Sequence, residues 1–214
     1  MNQPVVSPLS IPLEVGRLEG ELTTPENAVG LVLFVHGGNA SRHSPQNKVI
    51  AAALHKQAVA TLLFDLLTPV EDSRQGNRFN VDLLADRLEL ASNWIRTQAN
   101  QPRHAIGYFG VDTGAAAALR CAVHVEGIKA VVVRGGRPDL AGAEALSEVK
   151  APTLLLVGGR DSSAIAVSRE AFAKMQCEKQ LHVIPGATQR FEQPGTLEQV
   201  ASQAGAWFSR YLAG

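Results

Sequence analysis

The stretch Gly107-Tyr108-Phe109-Gly110-Val111-Asp112-Thr113-Gly114-Ala115-Ala116-Ala117-Ala118 decides how the chain folds. The run at 105–109 reads as a buried strand, and the alanines that follow open a helix expected over 113–123. Gly110 and Gly114 bracket the change of period. A strand that becomes a helix so abruptly needs backbone freedom at the corner, which glycine supplies. Asp112 stands at the apex of that turn.

The same alternation extends in both directions. Residues 31–35, Leu-Val-Leu-Phe-Val, form a continuous β-rich run, as expected of a strand covered on both faces. Residues 60–67, 128–133, 153–157 and 180–184 repeat it, with helices expected over 47–56, 81–98, 164–175 and 196–212. Residues 13–15 and 18–22 predict an antiparallel pair turned near Gly16. Strand alternating with helix predicts a mostly parallel sheet with helices on both faces. A length of 214 residues fits one α/β domain over 1–214. The longest polar connection, 68–80, follows a strand, and in open α/β sheets that edge carries the ligand site. No segment is long enough for a separate lid domain, so the site is expected to be shallow and open unless 68–80 covers it.

Composition narrows the function classes. Hydrophobic residues make up 45% and charged residues 19%, enough for a large core and against disorder. Basic and acidic residues balance at 20 each, without a basic block, which argues against a nucleic-acid partner. Cys121 and Cys177 lie far apart, so buried reduced thiols and a cytoplasmic setting are expected. Residues 1–10 lack the features of a secretory signal, and no stretch approaches the ~20 apolar residues of a membrane span. No His or Cys spacing of metal type occurs, and the Gly-Gly pairs at 37–38, 135–136 and 158–159 lack a nucleotide-loop pattern. No metal or cofactor is therefore indicated.

Several motifs occur in order. They are Phe34-Val35-His36-Gly37-Gly38, Ser41-Arg42-His43-Ser44-Pro45, the turn at 110–114, Arg134-Gly135-Gly136-Arg137-Pro138-Asp139-Leu140, Val157-Gly158-Gly159-Arg160-Asp161 and Pro185-Gly186-Ala187-Thr188. The ordered set resembles the dienelactone-hydrolase-like α/β hydrolases over nearly the whole chain. The resemblance implies a single-domain, lidless α/β-hydrolase fold and a Ser, His, Asp triad acting on a small ester- or lactone-like ligand. The nucleophile of that family stands at the apex of G-x-S-x-G, which here is Asp112. Its acid matches Asp161, and its histidine position is Gln189. Oxyanion-hole N–H groups would come from Gly38 or Asn39 and from Thr113.

These departures change the chemistry. A glutamine amide cannot relay a proton, although it can orient a water or carbonyl by hydrogen bonds. Asp112 has three readings: a carboxylate nucleophile, an anion held by the N–H groups at its helix start, or a plain helix cap. Asp161 also suits helix entry. His36 and His43 are the candidates for a substitute base, and Arg42 or Arg190 for a charge partner to Asp112; Arg134 and Arg137 also fall near strand ends. Three functions stay open. One is a pocket-bearing relative impaired in serine-type hydrolysis. Another is a hydrolase using Asp112 with a substitute histidine, and the last is a Ser-His-Asp esterase or lactonase altered by design at both positions.

Overall fold

The computed structural model describes residues 3–37, 40–98 and 105–213. Eight strands form one sheet: β1 (Val5–Pro12), β2 (Arg17–Thr24), β3 (Gly30–His36), β4 (Val59–Phe64), β5 (Ala105–Val111), β6 (Ile128–Arg134), β7 (Thr153–Gly158) and β8 (Lys179–Ile184). Their order is β1-β2-β4-β3-β5-β6-β7-β8. β2 pairs antiparallel with β1 and β4, and every neighbouring pair from β4 to β8 is parallel. The helices are α1 (Pro45–His55), α2 (Pro69–Asp72), α3 (Val81–Thr97), α4 (Gly114–His124), α5 (Ala143–Glu148), α6 (Ser162–Lys174) and α7 (Thr196–Leu212).

The continuous apolar runs follow from burial on both sides. Leu31, Leu33 and Val35 of β3 point into one core with residues of α3, α4, α5 and α6. Val32 and Phe34 point into the other, with residues of α1 and α7. Phe34 and Phe109 tie the two central strands together on that second face, ring centroids 4.9 Å apart. The four alanines 115–118 are all fully buried, so α4 lies close against the sheet that launches it.

Three expectations about the elements need correction. The first strand is Val5–Pro12, not 13–15; residues 13–16 are the turn, closed by Leu13 N–H donating to Gly16 O at 3.1 Å. Pro8 and Pro12 disguised it, and they are tolerated because β1 is an edge strand. The strand expected over 60–67 stops at Phe64, where the Asp65 side chain turns toward Arg42 and His36. Finally, 68–80 is not a loop. Thr68 and Glu71 form a capping box that starts α2, and a 3-10 turn follows over Gln75–Phe79. Among the described residues no helix is long and apolar enough to cross a membrane. Both cysteines are free thiols; Cys121 is buried, but Cys177 is only partly so.

Candidate functional site

β3 and β5 are neighbours, but the chain leaves β3 toward β4 on one side and leaves β5 toward β6 on the other, so the two connections diverge and open a crevice at the carboxyl edge of the sheet. Five strand ends meet there. The segment after β3 brings Ser41 and His43, β5 leads into Asp112, β6 ends in Arg134, β7 leads to Asp161, and β8 leads to Gln189 and Arg190. These residues line one open cleft of ≈ 1350 Å³. Phe79 adds to its wall from the 3-10 turn, which the Thr113 hydroxyl secures by donating to Arg78 O at 3.0 Å.

The turn at Asp112 is tight. Asp112 has φ +53°, unusual for a residue with a side chain. Its carbonyl accepts from Ala115 N–H and from Arg137 N–H. The two flanking glycines are steric requirements. A Cβ on Gly110 would lie 2.7 Å from Ala115 Cα, and one on Gly114 would lie 2.3 Å from Val35 O. The backbone is thereby fixed so that Asp112 stands at the crevice, partly buried.

The expectation that the Asp112 carboxylate is bonded to N–H groups of its helix is not met. Among the described residues nothing donates to it, and α4 has no side-chain cap bond at its start. The left-handed backbone sends this side chain to the cleft instead of back over the helix start. Burial raises its carboxyl pKa; the charges of Arg134, His36 and Arg190 oppose that rise, Arg134 foremost. Neither arginine proposed as its partner therefore fills that role. Arg42 is committed to Asp65 through its N–H at 2.9 Å and its guanidinium. Arg190 is exposed, lines the cleft, and lies 3.7 Å from Glu192.

Arg134, which the sequence placed near a strand end without linking it to Asp112, ends β6 beside β5, the strand that leads into Asp112. It is 9% exposed, and its Nη1 is sealed from solvent without a hydrogen bond. Burial pushes its pKa down to about 10 against the opposing pull of Asp112. Asp112 and Arg134 form no contact ion pair. Arg160 also lines the cleft, and Arg137 does so while paired to Asp139 at 2.7 Å.

Asp161 is both helix cap and cleft residue. Ala164 N–H and the Ser163 hydroxyl donate to its Oδ1 at 2.9 and 2.8 Å, so one carboxylate oxygen carries both bonds. Gln189 is exposed and lines the cleft, its side chain without a hydrogen bond among the described residues. The Thr113 N–H likewise donates to no described acceptor. Gly38 and Asn39 lie outside the described residues.

The two candidate histidines separate. His36 is buried, with Nε2 2.9 Å from Phe64 O and 3.4 Å from Asp65 Oδ1, and it does not line the cleft with Asp112. It borders a second cavity of ≈ 300 Å³ with Arg42 and Asp65. Burial alone would raise Asp65, but His36 and Arg42 together bring it down to about 2. His43 is exposed and does line the cleft. Among the described residues no group of three His, Cys, Asp or Glu could hold a metal ion.

Residues 48–211 match the model of the dienelactone hydrolase family. The chain belongs to that family. A dienelactone hydrolase from Anabaena variabilis ATCC 29413 superposes with a TM-score of 0.94 at 45% identity, covering 99% of this chain and 100% of that one. Est1E from Butyrivibrio proteoclasticus shares the fold at a TM-score of 0.79 and 14% identity, over 97% of this chain and 99% of its own. The architecture is thus the α/β-hydrolase fold. A Mycobacterium tuberculosis H37Rv protein named "Putative phosphoribosyl transferase" is 50% identical over 196 residues, 91% of this chain and 44% of that protein. This chain therefore spans under half the length of that relative.

Proposed function

We propose that this member of the dienelactone hydrolase family keeps its cleft as a small-molecule site and lacks serine-type ester or lactone hydrolysis. The observation that carries the reading is Asp112 itself. It occupies the strained strand-to-helix corner where the nucleophile of a hydrolase elbow stands. It offers no hydroxyl there, and among the described residues no histidine nitrogen is hydrogen-bonded to it. Serine-type acyl transfer needs a hydroxyl and a base that takes its proton and returns it to the leaving group. Gln189 has no such proton chemistry. His36 is turned to Phe64 O and Asp65. A carboxylate attacking an acyl carbon would also give a reactive anhydride, a poor intermediate for ester hydrolysis. What the cleft does retain supports binding: a defined cavity, the unengaged Thr113 N–H, and charged groups on its wall.

A second reading rests on His43, which lines the same cleft as Asp112. In it Asp112 is nucleophile or base, and the raised pKa of its carboxyl favours the base role. One experiment separates the two. Native protein, Asp112→Asn and His43→Gln are assayed on small lactones, activated esters and haloacids. The proposal expects no turnover above background from any of them. Native turnover that falls ~100-fold in either variant would establish the second reading instead.

A further inference from the structure

Two opposite groups in the cleft are left without partners. The Arg134 guanidinium carries five N–H donors and no acceptor. Its Nη1 is sealed from solvent and unbonded, and it forms no ion pair with a described residue, yet Arg134 is part of the cleft wall. Nη1 itself is out of a ligand's reach, but no guanidinium nitrogen is bonded to a described residue, and buried polar groups are nearly always satisfied, so the nitrogens that are not sealed call for an acceptor from the cleft. Asp112 is its mirror image. An ionised carboxylate only accepts, and no described group donates to it. The two lie near enough for each to perturb the other's titration, without touching. Both line the same open cleft without pairing to each other, so ligand atoms in that cleft can meet both.

A closed lactone or ester brings acceptors only. It can answer Arg134 but gives Asp112 nothing. A plain carboxylate has the same defect and adds repulsion against Asp112. A hydroxylated anion answers both, one end accepting and the other donating. Arg160 and Arg190 also line the cleft and favour negative charge, and among the described residues the carboxylates lining it are Asp112 and Asp161. Building on the non-hydrolytic reading above, we infer that the cleft takes a small hydroxylated organic anion, its anionic oxygen on Arg134 and its hydroxyl donating to Asp112. No bond is made or broken. Such a molecule is what ring opening of a lactone leaves behind, so the cleft is complementary to a hydrolysis product and not to the closed ring. The anionic oxygen can belong to a carboxylate or a phosphate.

Titration calorimetry on the full native chain at pH 7 tests this. The probes are 2-, 3- and 4-hydroxybutyrate and glycerol 3-phosphate. Their counterparts without a hydroxyl are butyrate and propyl phosphate, with γ-butyrolactone as the closed ring. At least one hydroxylated anion should bind saturably, about 10-fold or more tighter than its plain counterpart and than the lactone. The tighter class shows which anion the site prefers. Arg134→Gln should weaken the best probe by about 10- to 100-fold. Asp112→Ala should collapse the preference for the hydroxyl toward a ratio of about one, because it removes its acceptor. Equal binding of hydroxylated and plain anions, tighter binding of the lactone, or no saturable binding of any hydroxylated probe up to ~10 mM overturns the inference. The comparison among probes on native protein stands even if a variant misfolds. Turnover of γ-butyrolactone would instead sink the non-hydrolytic reading, whereas a missing hydroxyl preference without turnover sinks only this inference.

Discussion

Arg134→Met should make the protein more stable. Arg134 is 9% exposed and its pKa is pushed down to about 10, chiefly by burial. That is roughly two and a half pH units below an ordinary guanidinium. At about 1.4 kcal/mol for each pH unit, holding the charged form in the fold costs about 3–4 kcal/mol. The sign follows from linkage. A base whose pKa is lowered by folding carries this cost at every pH below the folded value, and is relieved only as pH rises through about 10. The attraction of Asp112 is already contained in that value. Methionine matches the length of the stem, carries no charge, and leaves no unsatisfied donor. Relaxation around the buried cation makes that figure an upper bound, so a gain of about 1–3 kcal/mol is expected. For a chain of this size that raises Tm by about 2–12 °C. The assay is urea unfolding at pH 7 on native, Arg134→Met and Arg134→Met/Asp112→Asn, with unchanged m values as the check on two-state behaviour. The double variant removes the half-buried carboxylate that loses its foremost favourable charge, and should be at least as stable as the single. If folded Arg134→Met is less stable than native, Arg134 is a structural asset, and its orphan state no longer points to a ligand.

Other outcomes follow from the same geometry. Gly114→Ala should destabilise the fold by about 3 kcal/mol or more, because its Cβ would meet Val35 O at 2.3 Å; a variant with native Tm would show that the turn is not sterically locked. Asp65, held at about 2, contributes stability that is fully present above its unfolded pKa near 4 and is lost as pH falls through about 2. Asp65→Asn should therefore cost about 1–2 kcal/mol at pH 7, allowing for its partial exposure, and flatten acid unfolding between about pH 4 and 2; an unchanged acid profile would refute this. Fluorophosphonate probes should leave the residue 110–114 peptide unlabelled in the native chain, since its apex is Asp112; stoichiometric labelling of Ser41, Ser44 or Ser162 would show that the nucleophile has moved.

The parallel core was legible because 31–35, 105–109 and 130–133 are unbroken apolar runs, a pattern that double-sided burial imposes. The amino-terminal hairpin was misplaced because prolines look like strand breakers unless the strand is known to be an edge. Asp112, Asp161 and Gln189 were picked out because they follow strand ends, and all three line one cleft. Which arginine serves Asp112 could not be read. Arg134 and Asp112 come from neighbouring strands, and side-chain direction, not sequence distance, brings them together. Asp65 was hidden inside what looked like the end of a strand, so its claim on both Arg42 and His36 was invisible. The bond expected between Asp112 and its helix failed for a local reason: the left-handed apex turns the side chain away.

The most direct test of the account is to rebuild the triad. Asp112→Ser, Gln189→His and the double variant are compared with native protein on small activated esters, each checked for folding. The turn glycines are in place, the Thr113 N–H is unengaged, and the two bonds to Asp161 fall on one oxygen, leaving the other for an imidazole. Triad members act as a unit, so each single variant should stay near native and the double should gain strongly and non-additively in kcat/KM. A folded double variant no more active than native protein would contradict the claim that the chain keeps a hydrolase frame from which only the serine and histidine are missing.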